Sequence, residues 1–182
     1  MRERQRGGRI REWMGFFCYV LILFLLAFLV IQFVGQRTRV NGMSMEPTLS
    51  NGDNLIIDKL SYRLHEPDRY DVIVFPYQSE DGKYYIKRII GLPGERIRIG
   101  TDGRIYINGE VLAESYGKET IKDPGSAENE ITLGSDEYFV LGDNRNNSSD
   151  SRMTDVGTIR RKNIIGRAWL RIYPFDRIGK LH

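Results

Sequence analysis

Three short stretches carry residues that could do chemistry together. The first is "NGMSMEPTL", which places Ser44 between two methionines with Pro47 close behind. A serine hydroxyl is a poor nucleophile unless a base takes its proton. Histidine, the usual base, is nearly absent: only His65 and His182 occur, far apart, and His182 is the last residue. Carboxylates and lysines remain. A lysine qualifies only if its amine is neutral, which requires desolvation or a neighbouring positive charge. The second stretch, "YYIKRIIGLPGE", sets Lys87 inside an apolar run. If this run is a strand, Tyr85, Lys87 and Ile89 share one face, and Ile86, Arg88 and Ile90 share the other. An amphipathic strand with a snorkelling lysine gives the same pattern, so this stretch alone does not decide between base and surface lysine.

The third stretch, "GDNRNNSSDSR", runs from Gly142 to Arg152 directly after the apolar "EYFVL". A calcium loop needs ligands at alternate positions and a glycine at the sixth. Counted from Asp143, the third position is Arg145 and the sixth is Ser148, so the pattern does not suit calcium. "NNS" and "NSS" match a glycosylation pattern that is common by chance. What remains is a polar loop able to orient an amine and to brace itself with Asp–Arg pairs.

The elements that must position these residues are legible in outline. From Trp13 to Val34 no side chain is charged, and about 20 apolar residues suffice to cross a bilayer. A cleaved secretory signal would have a shorter apolar core and a small-residue cleavage site, which "VGQRTRV" does not supply. An uncleaved anchor over residues 13–35 is therefore expected, after a basic segment at 1–12. Arg2, Arg4, Arg6, Arg9 and Arg11 precede the run, and only Arg37 and Arg39 follow closely. The positive-inside bias then puts the N-terminus in the cytoplasm and residues 36–182 outside a single-pass plasma-membrane anchor.

Beyond Asn41 the chain breaks into short runs rich in Ile, Val, Tyr and Phe, punctuated by Gly, Asn, Asp and Pro, which predicts strands. "TDGR" and "INGE" read as hairpin turns. "GKETIKDPGSAENEI" reads as an exposed loop. The expected fold is mainly antiparallel β, behind one transmembrane helix. Roughly 140 residues beyond the anchor are enough for a real core. The net charge of +3, from 27 basic and 24 acidic residues, gives no basic stripe for nucleic acid. The single cysteine, Cys18, lies within the apolar run, so neither an intrachain disulfide nor a cysteine metal site is expected.

At these residues the chain resembles the bacterial type I signal peptidases. "GMSMEPTL" is similar to the nucleophile box of that family, "YYIKRIIGLPGE" to its lysine box and "GDNRNNSSDSR" to its third box. "GDNLIIDKLSY" and "PDRYDVIVF" match the run between them. The single span resembles the Gram-positive form. The resemblance implies an antiparallel β peptidase core with an apolar surface resting on membrane lipid. It implies Ser44 as nucleophile and Lys87 as general base, with no metal or organic cofactor. Ser148 would hold the lysine amine, Asp150 and Arg152 would pair in support, and Asp143 and Arg145 would buttress the loop. Substrates would be secreted preproteins cut after small residues (Ala-x-Ala), and a monomer is the expected state.

Two positions depart from the family pattern. Gly42 stands where some members have a serine that helps the oxyanion hole, so backbone donors, at Ser44 and Gly42, are expected to serve instead. Tyr70 stands where glycine is frequent. Three other readings compete: a peptidase dedicated to one secretion or sporulation substrate, a self-cleaving Ser/Lys peptidase of the repressor kind, and a non-catalytic tethered β module. The apolar run argues against the second, and the third has no need of all three boxes.

Overall fold

In the computed structural model, residues 13–26 and 35–181 are described. Residues 13–26 are helical (α1). Among the described residues, no helix is long and apolar enough to cross a membrane. The expected basic segment at 1–12 and the second part of the expected anchor lie outside the described residues.

The remainder is built of antiparallel strands, as the alternating runs predict. One sheet contains β1 (Gly35–Arg39), β2 (Asn54–Asp58), β3 (Val72–Pro76), β4 (Tyr84–Gly91), β9 (Glu137–Leu141), β10 (Ile159–Arg160), β11 (Gly166–Tyr173) and β12 (Gly179–Lys180). Its strand order is β1-β2-β11-β3-β4-β9-β10, with β12 on β11. A second sheet contains β5 (Arg96–Ile99), β6 (Ile105–Ile107), β7 (Glu110–Val111) and β8 (Ile131–Thr132), ordered β7-β6-β5-β8. A short helix, α2 (Ser61–Leu64), links β2 towards β3.

The central strands are apolar on both faces because both faces are covered. In β3, Val72 and Val74 pack with Met45, Leu49, Leu55 and Ala168, while Ile73 and Phe75 pack with Ile89, Tyr138 and Val140. In β9, Phe139 and Leu141 turn the other way and join Ile90, Ile97 and Ile105, which ties the second sheet to the first. Lys87 and the third stretch are thus held by strands locked on two sides.

The predicted turns form. "TDGR" closes the β5–β6 hairpin. Asn108 and Gly109, with φ of 53° and 87°, close the β6–β7 hairpin. Two positive φ values in succession suit the right-handed twist of the strands, and Asn-Gly tolerates them. The expected loop at 117–131 is exposed over most of its length, with two exceptions. It contains a short 3-10 turn, Gly125–Glu128, and it sends Ile121 and Ala127 into the second core. Two isolated apolar residues in a polar stretch have no periodicity, so their inward direction was not legible.

Candidate active site

Ser44 sits in a run of turns over residues 42–49, between β1 and β2. Its two methionines part company: Met45 is buried in the core, whereas Met43 is 52% exposed beside the cleft. Lys87 lies in mid-β4 and is only 3% exposed. Its Nζ lies 2.8 Å from Ser44 Oγ and donates to the Ile86 carbonyl at 3.0 Å. The Tyr85 ring covers it at 4.9 Å. Burial draws the Lys87 amine down from 10.5 to about 8, against the opposing pull of the Asp150 and Asp143 carboxylates. A neutral amine at this distance can accept the Ser44 proton.

The third stretch leaves β9 and wraps round the serine. Asn144 clamps the Ser44 turn twice: its N–H donates to the Ser44 carbonyl at 3.0 Å and its Nδ2 to the Met43 carbonyl at 3.1 Å. Asp150 accepts Arg152 Nε and Nη2 at 2.8 and 2.9 Å, a bidentate pair with both side chains buried. Asp150 also accepts the Gly142 N–H at 3.1 Å. Arg152 further donates to the carbonyls of Asp123 and Arg145.

Asp143 and Arg145 do not share partners. Asp143 binds Arg88 through two contacts, 2.9 and 2.8 Å, with both side chains fully buried. Thr48 Oγ1 donates to the same carboxylate, so Asp143 ties the serine turn to β4. Arg145 instead binds Glu114 at 2.6 Å, from the segment after β7. Arg88 and Asn144 are supporting residues missed as candidates. A fully charged side chain in an apolar strand was the available signal for Arg88, since such a residue requires a buried partner.

Tyr70 adopts φ 74°, the conformation that explains why glycine suits this position. Its carbonyl accepts Arg88 Nη1 at 2.8 Å, and its ring packs on Tyr116 with centroids 5.0 Å apart. The ring contact offsets a backbone cost of roughly 1–2 kcal/mol.

Two expectations are corrected. Ser148 Oγ is buried near the dyad but has no hydrogen-bond partner among the described residues, so the expected bond to Lys87 is not formed. The Lys87 amine turns instead to Ser44 and the Ile86 carbonyl. The Gly42 N–H, expected to serve an oxyanion, donates to Asn51 Oδ1 at 3.0 Å and is therefore already committed. The Ser44 N–H makes no hydrogen bond among the described residues and stays available.

Gly142 is where the loop must approach the serine turn most closely. An added Cβ would meet Ser148 Oγ and lie 2.5 Å from the Ser44 carbonyl oxygen. Gly142→Ala should therefore displace the serine turn. A loss of about 10²-fold in kcat is expected, the scale of a 1 Å misplacement of a reacting group. Circular dichroism should still report a folded β protein, and wild-type kcat would contradict the close approach.

The dyad opens on a cleft of about 740 Å³. Residues 38–45 form one wall, Tyr84–Lys87 the other, and residues 146–149 border it. From Tyr84 to Lys87, β4 pairs only with β3, because β9 takes it up at Arg88. Among the described residues, that edge of β4 has no strand partner beside the cleft. A hydroxyl, a desolvated amine, a free amide and an open strand edge are what a serine peptidase using an amine base requires. Among the described residues, no cluster of His, Cys, Asp and Glu suited to a metal is present.

Comparison with known proteins agrees. The sequence pattern of the family described as "Signal peptidase, peptidase S26" matches residues 10–173. The chain is 41% identical to "Probable signal peptidase I-2" of Synechocystis sp. over 162 residues, covering 86% of this chain and 72% of that protein. It is 36% identical to "Signal peptidase I P" of Bacillus subtilis subsp. natto over 185 residues, covering 97% and 96%. The chain belongs to the signal peptidase family, peptidase S26, whose members are serine endopeptidases.

Proposed function

We propose that this chain removes N-terminal signal peptides from secreted preproteins, with Ser44 as nucleophile and Lys87 as general base. The observation that carries the reading is the 2.8 Å contact between Ser44 Oγ and a lysine amine drawn down by burial to about 8. A preprotein segment would add as a strand to the free edge of β4, so main-chain bonds supply affinity. Val40, Val74, Tyr85 and Ile86 give the cleft an apolar side, suited to small apolar residues at −1 and −3. The neutral amine takes the serine proton as Oγ attacks the scissile carbonyl, and the Ser44 N–H faces the developing oxyanion. The amine then returns the proton to the leaving nitrogen, and the acyl-enzyme forms. The mature protein departs at that step with its new amino terminus, and a water molecule, giving its proton to the same amine, then hydrolyses the Ser44 ester and releases the signal peptide as the proton returns to Oγ.

Asp150–Arg152 and Asp143–Arg88 hold the serine turn and β4 in register. The apolar run at 13–35 would confine enzyme and preprotein to one membrane surface and raise their effective concentration. The catalytic domain would then face the extracytoplasmic side. Incubating the full chain in detergent with a preprotein carrying an Ala-x-Ala site, and sequencing the product N-terminus, tests this. A single cut after the second alanine is expected. An intact preprotein, or a cut elsewhere, would overturn it.

A further inference from the structure

A second cleft, of about 680 Å³, shares lining residues with the first and has no role in the chemistry above. The tip of the β3–β4 hairpin forms one wall and residues 156–163 form the other. Gly82 and Tyr84 line both clefts, so the free edge of β4 leads from Lys87 past Tyr84 directly into this second space. The wall is built rather than loose. Tyr77 stacks on Tyr85 with centroids 4.6 Å apart, and its hydroxyl donates to Asp155 at 2.6 Å, which fastens the hairpin to the opposite segment.

The charges in the second cleft are uneven. Arg160 and Lys162 line it, both exposed, and neither forms a salt bridge among the described residues. On the hairpin, Glu80 is paired with Lys83 at 2.7 Å, which leaves Asp81 as the one acidic group there without such a pair among the described residues. Two unpaired cations against one anion favour an acidic over a basic side chain.

We propose that this cleft is a distal subsite for the polar stretch of the preprotein upstream of the cleavage site, and that Arg160 and Lys162 set its charge preference. This rests on the proposed peptidase function, with the small residues on the apolar side of the first cleft and the upstream chain running along β4. Lys87 to Tyr84, the first residue of β4, is three residues, roughly 10 Å of extended strand, and the turn at Asp81 and Gly82 that lines the second cleft lies two to three residues further. The subsite is therefore reached about five to seven residues before the scissile bond.

The test uses the full chain in detergent and two synthetic peptides with the same Ala-x-Ala site, carrying either two Asp or two Lys residues across positions −5 to −7. Wild-type protein should cleave the Asp peptide with a KM lower by about threefold or more, the scale of two exposed charge pairs, and with similar kcat. Arg160→Glu combined with Lys162→Glu should reverse that order, and added salt should flatten it in both proteins. Both substituted side chains are exposed, so the melting temperature should hold. Equal KM for the two peptides in wild type, or an order that survives the double substitution, would overturn the subsite. Failure of the peptidase reading looks different: wild type would cut neither peptide, or Ser44→Ala would cut both.

Discussion

Ser44→Ala and Lys87→Ala should each reduce preprotein cleavage by at least about 10⁴-fold, with little change in melting temperature. The two side chains act as a unit, so the double substitution should cost scarcely more than either alone. The hydroxyl meets the amine at 2.8 Å, and among the described residues no histidine lines the cleft to replace it. Lys87→Arg should not rescue, because a guanidinium does not give up its proton near neutrality. Single-turnover assays on a preprotein separate lost chemistry from lost binding. Substantial activity in Lys87→Ala would move the base elsewhere.

Arg152→Ala is expected to lower stability by about 3–5 kcal/mol, because it strands a buried carboxylate. Asp150 is fully buried, and both its oxygens are held by Arg152. The same substitution frees the carbonyls of Asp123 and Arg145. For a chain of this length that corresponds to a fall in Tm of roughly 10 °C. A second effect distinguishes this pair from ordinary packing. The Asp150 carboxylate already raises the Lys87 amine against its burial. With its counter-ion gone, that field acts unopposed, and the pH of half-maximal cleavage should move up. An unchanged Tm together with an unchanged pH profile would remove Arg152 from the supporting frame. Asp150→Asn in the Arg152→Ala background should recover part of the Tm.

The strands were legible because each rests on a local rule, whereas the pairing of Ser44 with Lys87 was expected from the resemblance to the signal peptidases. Period-two alternation marked β5 and β6, and Asn108-Gly109 marked a turn that needs two positive φ values. Lys87 could be singled out because a charge within an apolar strand demands an explanation. Which partner each charge takes was not legible. Asp143 and Arg145 stand two apart, yet one reaches β4 and the other reaches Glu114, because successive side chains of a loop leaving a sheet point to different elements. Asn144 was not among the expected site residues, although its backbone and side chain both hold the Ser44 turn. The commitment of the Gly42 amide to Asn51 depends on how residues 42–51 close on themselves, which composition does not reveal. Ile121 and Ala127 went unread for a similar reason: the second sheet supplies the surface they bury.

The measurement that bears most directly on a neutral lysine as the base is kcat/KM for preprotein cleavage between pH 5 and 10, followed with the full chain in detergent. Burial lowers the Lys87 amine to about 8, so the active neutral form accumulates as pH rises through that value. The rate should climb about tenfold per pH unit up to near pH 8 and then level, leaving pH 5 about 10³-fold below the plateau. A rate that stays flat down to pH 5 would contradict a lysine base at this site.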